Sequence, residues 1–137
     1  PESCLALIVL LDQFTRNVAR GSRTTYRFDA QALSVARAAI ARGFDQRVAP
    51  IQAVFYYLPL EHAEELKAQE ESVLLFRMLE RQASASTKEQ FRGFYEYALA
   101  HHDIVARFGR FPHRNAQLGR PNTEAEEHFL ARPGSSF

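Results

Sequence analysis

Apolar residues share one helical face through Phe94, Tyr97, Ala98, Ile104, Val105 and Phe108, about four turns of one amphipathic pattern at 3.6 residues per turn. That spacing is the signature of a helix with one buried stripe, and no stretch of the chain alternates as a strand would. Thr87, with Gln90 three residues later, reads as a capping box opening this helix, and Gly109 reads as its stop.

The same reading extends along the chain. A first helix is expected from about Glu2 to Asn17; it is apolar nearly all round and so expected to be central. Residues 20–28 form a polar loop. Asp29 is placed to cap a second helix ending at Gly43, with Leu33, Ala36, Ile40 and Phe44 as its buried stripe. Pro50 opens a short aromatic helix through Tyr57, and Pro59 is read as restarting the chain into a long helix from about Leu60 to Ala83. Residues 84–87 turn the chain. Thr123 and Glu126 form a second capping box for a last short helix that ends before Pro133. About six helices joined by short turns imply an all-α antiparallel helical array, and with no low-complexity linker residues 1–137 read as one domain.

Polar residues fall where these helices turn inward. His101 lies in the middle of its stripe, seven residues from both Phe94 and Phe108. On the helix expected from Leu60, the stripe is Ala63, Leu66, Val73 and Leu74; Glu70 falls within it, flanked by His62 and Gln69. Asp12 shares a face with Leu5, Ile8 and Val9, and Arg16 follows one turn later. A carboxylate or imidazole facing a core needs a partner, so each marks either a structural bond or the lining of a pocket. Glu70 beside His101 is the expected pair, and a carboxylate there would raise the imidazole pKa for acid–base work.

Charge is the second guide. The formal net charge is +1, and fifteen of the seventeen basic residues are arginine. A generic nucleic-acid binder carries a strongly basic face, so no nucleic-acid partner is expected. Arg16, Arg20, Arg23 and Arg27 make one basic cluster; Arg107, Arg110, Arg114 and Arg120 make another, in a loop that also holds His113 and Asn115. Glu61, Glu64, Glu65, Glu70 and Glu71 form an acidic run that could neutralise part of either. Guanidinium forks suit carboxylate and phosphate.

Several chemistries lack their residues. The lone Cys4 sits in an apolar run and reads as an inert buried thiol in a reducing compartment. That run is too short to span a membrane, no charged leader precedes it, and a cytoplasmic protein is expected. No zinc-protease spacing, cysteine pair, glycine-rich phosphate loop or nucleophile elbow is present, so no metal and no cofactor are assigned.

Three stretches together resemble the bacterial DUF924 family: Leu10 to Asn17 followed by Gly21, Pro59 to His62 with Gln69 and Glu70, and His101 with Arg107 to Asn115 and Leu118 to Arg120. Thr15 stands where the family pattern has a proline. The resemblance implies a tetratricopeptide-repeat-like helical fold and no established activity. It also implies a further aromatic-rich helical segment ahead of the first motif, which this chain is read as lacking. The motif positions Asp12, Gln13, Glu61 and His62 join the candidate site.

The leading expectation is a helical-repeat-like binding module with a cationic, partly buried pocket for a small anionic ligand or an acidic peptide terminus. Arg16, Arg107, Arg110 and Arg114 would hold the anion, Asn17 and Asn115 would orient it, and Tyr56, Tyr57 or Phe111 would wall the pocket. The alternative is an enzyme using His101 or His113 with Glu70 or Glu61 as acid and base.

Overall fold

A computed structural model describes residues 1–19, 21–22 and 24–135. Arg20 and Arg23 of the first basic cluster lie outside the described residues. The described chain is all-helical, without a strand. Helix α1 (Glu2–Ile8) runs through a π-helical segment (Val9–Phe14) into α2 (Thr15–Val18). It is followed by α3 (Asp29–Ala41), a 3-10 turn (Asp45–Arg47), α4 (Pro50–Glu61), α5 (Leu66–Gln82) and α6 (Lys88–Phe108). A second 3-10 turn (Pro112–Arg114), α7 (Asn115–Leu118) and α8 (Glu124–Leu130) complete it.

Successive helices pack as antiparallel neighbours. Lys88 at the start of α6 meets Glu80 near the end of α5, and Phe94 further along meets Phe76 further back. Likewise Tyr57 of α4 packs edge-on to Phe76, while Gln69 at the other end of α5 reaches Glu61. Helix α4 is the hub, contacted by α1, α3, α5 and α6. Ala32, Ala36 and Ala39 are fully enclosed, so α3 has no bulk holding its backbone away from its neighbours.

The first helix was expected to be central and is instead peripheral. Ile8 and Asp12 turn inward, while Leu7, Leu10, Phe14 and Val18 remain exposed. Its apolar residues cover more of the circumference than α3 and α4 can bury.

Pro59 does not break the chain as expected. It stays inside α4, and the interruption comes at residues 62–65. A proline removes one hydrogen bond to the preceding turn, and here the helix continues for two more residues. What ends α4 is a side chain from the next helix. The buried Gln69 amide donates to the carbonyls of Glu61 (2.6 Å) and Ala63 (2.7 Å), which no helical N–H then has to meet. With the start at Leu66, the buried stripe of α5 is Ala68, Gln69, Ser72, Phe76 and Leu79. Glu70 is therefore rotated out to solvent, and Leu66 and Leu74 are exposed. Glu70 does not face His101.

Two caps also differ from the expected pattern. Thr87 makes no capping bond; its hydroxyl meets Ser84 instead. Asp29 opens α3 but gives its carboxylate to arginines, as described below. The Thr123–Glu126 box does form, with both reciprocal bonds in place. Gly109 ends α6 at φ 71°, the left-handed conformation that only glycine adopts cheaply.

Candidate functional site

The ends of several helices meet at one buried polar cluster. Its first member, Asp12, is turned inward by the π-helical segment, a widened turn that often occurs at functional sites. Asp12 is 1% exposed. His62, at the C-terminus of α4, places Nδ1 2.7 Å from Asp12 Oδ1. Gln13 donates to the other oxygen, and Arg16, one turn on, lies 3.4 Å away. Burial alone would raise the Asp12 carboxyl, but His62, Arg16 and Gln13 together hold it down at about 2. Burial pushes the His62 imidazole below its ordinary range, with Asp12 pulling the other way. At neutral pH the pair is a carboxylate accepting the Nδ1–H of a neutral imidazole. That bond sets the tautomer, leaving the lone pair on Nε2, for which no described residue supplies a partner.

A second layer lies behind this dyad. Glu61, adjacent to His62 and 4% exposed, has an oxygen 3.5 Å from His101 Nδ1. Burial, then the charge of Asp12, push its carboxyl up to about 8. Burial pushes His101 down to about 3, against the pull of the Tyr97 carbonyl 2.9 Å from the same Nδ1. The Glu61–His101 contact is therefore one between a neutral acid and a neutral imidazole, not an ion pair. His101 packs edge-on to Phe111 at 5.5 Å.

Arg114 locks the two layers together. Its guanidinium carbon lies 4.4 Å from the ring centres of both Tyr26 and Phe111. Nη1 donates to Asp29 Oδ2 (3.2 Å) and Nη2 to the His62 carbonyl (3.0 Å). Arg16 meets the same Asp29 oxygen at 2.8 Å. Burial depresses Arg114, partly countered by Asp29, and raises Asp29, countered by both arginines. Phe111 is fixed in turn by Glu64, which accepts its N–H (2.8 Å) and both forks of Arg120 (2.6 and 2.8 Å).

Beside the cluster opens a cleft of about 350 Å³, lined among others by Tyr26, Asp29, Leu33, His62, Glu64 and Arg114. That is enough for a small ligand. Two buried polar atoms on its lining residues have no partner: Asp29 Oδ1, an acceptor, and Arg114 Nε, a donor. The cleft is mixed in charge rather than cationic, since Asp29, Glu64 and Glu65 line it as well as Arg114.

Of the residues expected from the sequence, Asp12, Gln13, Arg16, Glu61, His62, His101, His113, Arg114 and Phe111 are brought together. His113 packs on Phe111 at 5.7 Å, and burial, then Arg114, push it down to about 4. Asn115 is buried but faces the loop, bonded to Asn122 and Arg120. Asn17 is exposed and donates to the carbonyl of Gln13. Arg110 is engaged bidentately by Glu126 and also by the Pro121 carbonyl, while exposed Arg107 lies over Phe108. Arg107 and Arg110 thus sit at the α6–α8 end, and Tyr56 and Tyr57 lie in the hydrophobic core. Tyr26 and Asp29 are site residues that sequence reasoning did not place; Asp29 was read only as a cap. Among the described residues, no group of three or more His, Cys, Asp or Glu side chains is arranged to hold a metal ion.

The model for the bacterial proteins of unknown function DUF924 matches residues 1–134. A solved structure, that of the protein of unknown function ATU0120 from Agrobacterium tumefaciens, has a TM-score of 0.83 and 43% sequence identity. That match covers 95% of this chain and 68% of the other. No curated protein matches the chain. With the family model spanning nearly the whole sequence, the chain belongs to the DUF924 family.

Proposed function

We propose that the cleft beside Asp12 and His62 is an acid–base site for a small polar substrate. The observation that carries this reading is the 2.7 Å bond from His62 to a buried, ionised Asp12, on a residue that also lines the cleft. A carboxylate that fixes one imidazole nitrogen makes the other a general base of set direction. The roles differ from the expected ones: His62 replaces His101 and His113 as the base, and Asp12 replaces Glu70 as its orienting acid. His101 is too buried and too weakly basic to exchange protons with a substrate near neutral pH. Asp29 and Arg114 both line the cleft, one an acceptor and the other a donor, so the substrate class is one that carries both, such as an amino acid, amide or hydroxy acid.

The reading is tested by incubating the protein in deuterated water with a panel of such compounds and following loss of acidic C–H signals by NMR. Wild type is expected to exchange at least one compound, and His62→Gln, which keeps a donor toward Asp12 but no base, is expected to be inert. No exchange in wild type, or equal exchange in the variant, would refute it. A second reading, binding of a small anion without chemistry, is favoured by the Arg114 side chain in the cleft lining. It predicts thermal stabilisation by carboxylates or phosphates, beyond matched salt, that survives His62→Gln.

A further inference from the structure

The charged groups that line the cleft beside His62 are matched largely within the chain. Asp29 receives Arg16 and Arg114, Glu64 receives both forks of Arg120, and Glu65 receives Arg37 at 3.1 and 3.3 Å. The rest of the lining, apart from His62, is the apolar set Ala30, Leu33, Ala63 and Leu118, with Tyr26 beside it.

The two leucines are placed by the same local rule. Leu33 lies four residues after Asp29 on α3. Leu118 lies four residues after Arg114, whose backbone leads with right-handed helical angles into α7. Residues four apart share a helix face, with about 5–6 Å between their β-carbons. The Asp29–Arg114 bond of 3.2 Å joins the polar members of the two pairs, and both leucines line the same cleft one turn away. Leu33 is held by packing on Leu60, Ala63 and Ala68. Leu118, half-buried at the end of α7, lies outside the described hydrophobic clusters, so changing it leaves the core intact.

We propose that Leu33 and Leu118 form a side-chain subsite, and that the cleft takes a small acid bearing an amino or hydroxyl group and a short aliphatic side chain. This rests on the reading of the cleft as a substrate site and adds which side chain the substrate carries. At about 30 Å³ per water-sized group, the 350 Å³ cleft holds roughly a dozen non-hydrogen atoms. That admits an aliphatic amino or hydroxy acid and excludes a nucleotide. The polar end sits toward Asp29 and His62, and the hydrocarbon lies one helical turn away between the leucines.

The probes are alanine, 2-aminobutanoate, norvaline and norleucine, with the matching 2-hydroxy acids, titrated by NMR into wild type and into His62→Gln. Affinity is expected to rise about fourfold with each methylene in at least one series, the gain for a buried CH₂. A terminal hydroxyl in place of the last methyl, as in homoserine against norvaline, should weaken binding at least tenfold. Leu118→Ala is expected to lower the affinity of the longest member at least fivefold and that of the shortest less than twofold. Leu118→Phe, which fills the subsite, should reject the longest member and keep the shortest. No saturable binding of any probe would overturn the assignment, as would affinity independent of chain length or a dependence unchanged in both Leu118 variants. A slope that persists in His62→Gln while wild type exchanges no C–H would uphold the subsite and refute the catalytic reading; exchange without a slope would do the reverse. If a Leu118 variant fails to fold, the other variant and the wild-type series decide.

Discussion

Glu61 makes a quantitative demand on stability. Its carboxyl is raised from an ordinary 4.5 to about 8, so the folded chain holds a proton that the unfolded chain has released. Stability from this group is fully present below pH 4.5 and is lost as pH rises through about 8. The whole span corresponds to about 5 kcal/mol at 1.36 kcal/mol per pKa unit. Between pH 4.5 and 6.5 the loss is opposed, because His101 and His113 are depressed and their contribution grows as pH rises to their ordinary 6.5. Above 6.5 these histidines add nothing further and Glu61 acts without that opposition. Wild type should therefore lose roughly 1.5–2 kcal/mol between pH 6.5 and 8 relative to Glu61→Gln, whose amide copies the neutral acid and cannot ionise. In urea that is a midpoint difference of about 1 M, with unchanged slope. Parallel midpoints for the two proteins across that interval would show that Glu61 is not held protonated, and the picture of a neutral inner layer would fail.

Three further outcomes follow from the packing. Arg114→Met removes the guanidinium from between Tyr26 and Phe111 and leaves Asp29 with Arg16 alone; a cost of about 3 kcal/mol is expected. Calorimetry should show a melting temperature lower by roughly 10 °C. Gln69→Leu should cost roughly 3 kcal/mol in urea unfolding by stranding the carbonyls of Glu61 and Ala63, despite its apolar gain. Gly109→Ala should cost about 1 kcal/mol by the same measurement, from left-handed backbone alone, because nothing lies within contact of the added methyl.

What could be read from the sequence is what local geometry decides. His101 and Asp12 face inward as their spacing requires, Gly109 stops α6, and the Thr123–Glu126 box forms from residues three apart. What could not be read depends on partners distant in the chain. The end of α4 is set by Gln69, not by the proline two residues before it, and that shift rotates Glu70 to solvent. Arg120 finds Glu64 and Arg114 finds Asp29 across 56 and 85 residues, pairings that no spacing rule specifies. Glu61 and His62 were visible as a motif, yet which of them would face Asp12 depends on the last turn of α4. The arginine-rich loop follows the same logic: of its side chains, Arg110 and Arg120 are held by the chain's own acids, and Arg114 is built into the cluster.

Burial alone does not separate the two acids of that cluster, since Asp12 is 1% and Glu61 4% exposed. The difference lies in donors. Asp12 has the His62 N–H, the Gln13 amide and the nearby Arg16, while Glu61 has a neutral imidazole at 3.5 Å. Asp12 and Asp29 are matched by Arg16 and Arg114, so these four charges cancel and a fifth would have no counterpart. The proton on Glu61 follows from that balance rather than from depth. It also keeps a second negative charge away from His62. Were Glu61 ionised, the imidazole would become more basic and hold a proton more readily, at the expense of the free lone pair that a general base requires. The inner layer thus sets the charge that His62 experiences, and the proposed acid–base role of His62 rests on the two carboxyls being held at about 2 and about 8.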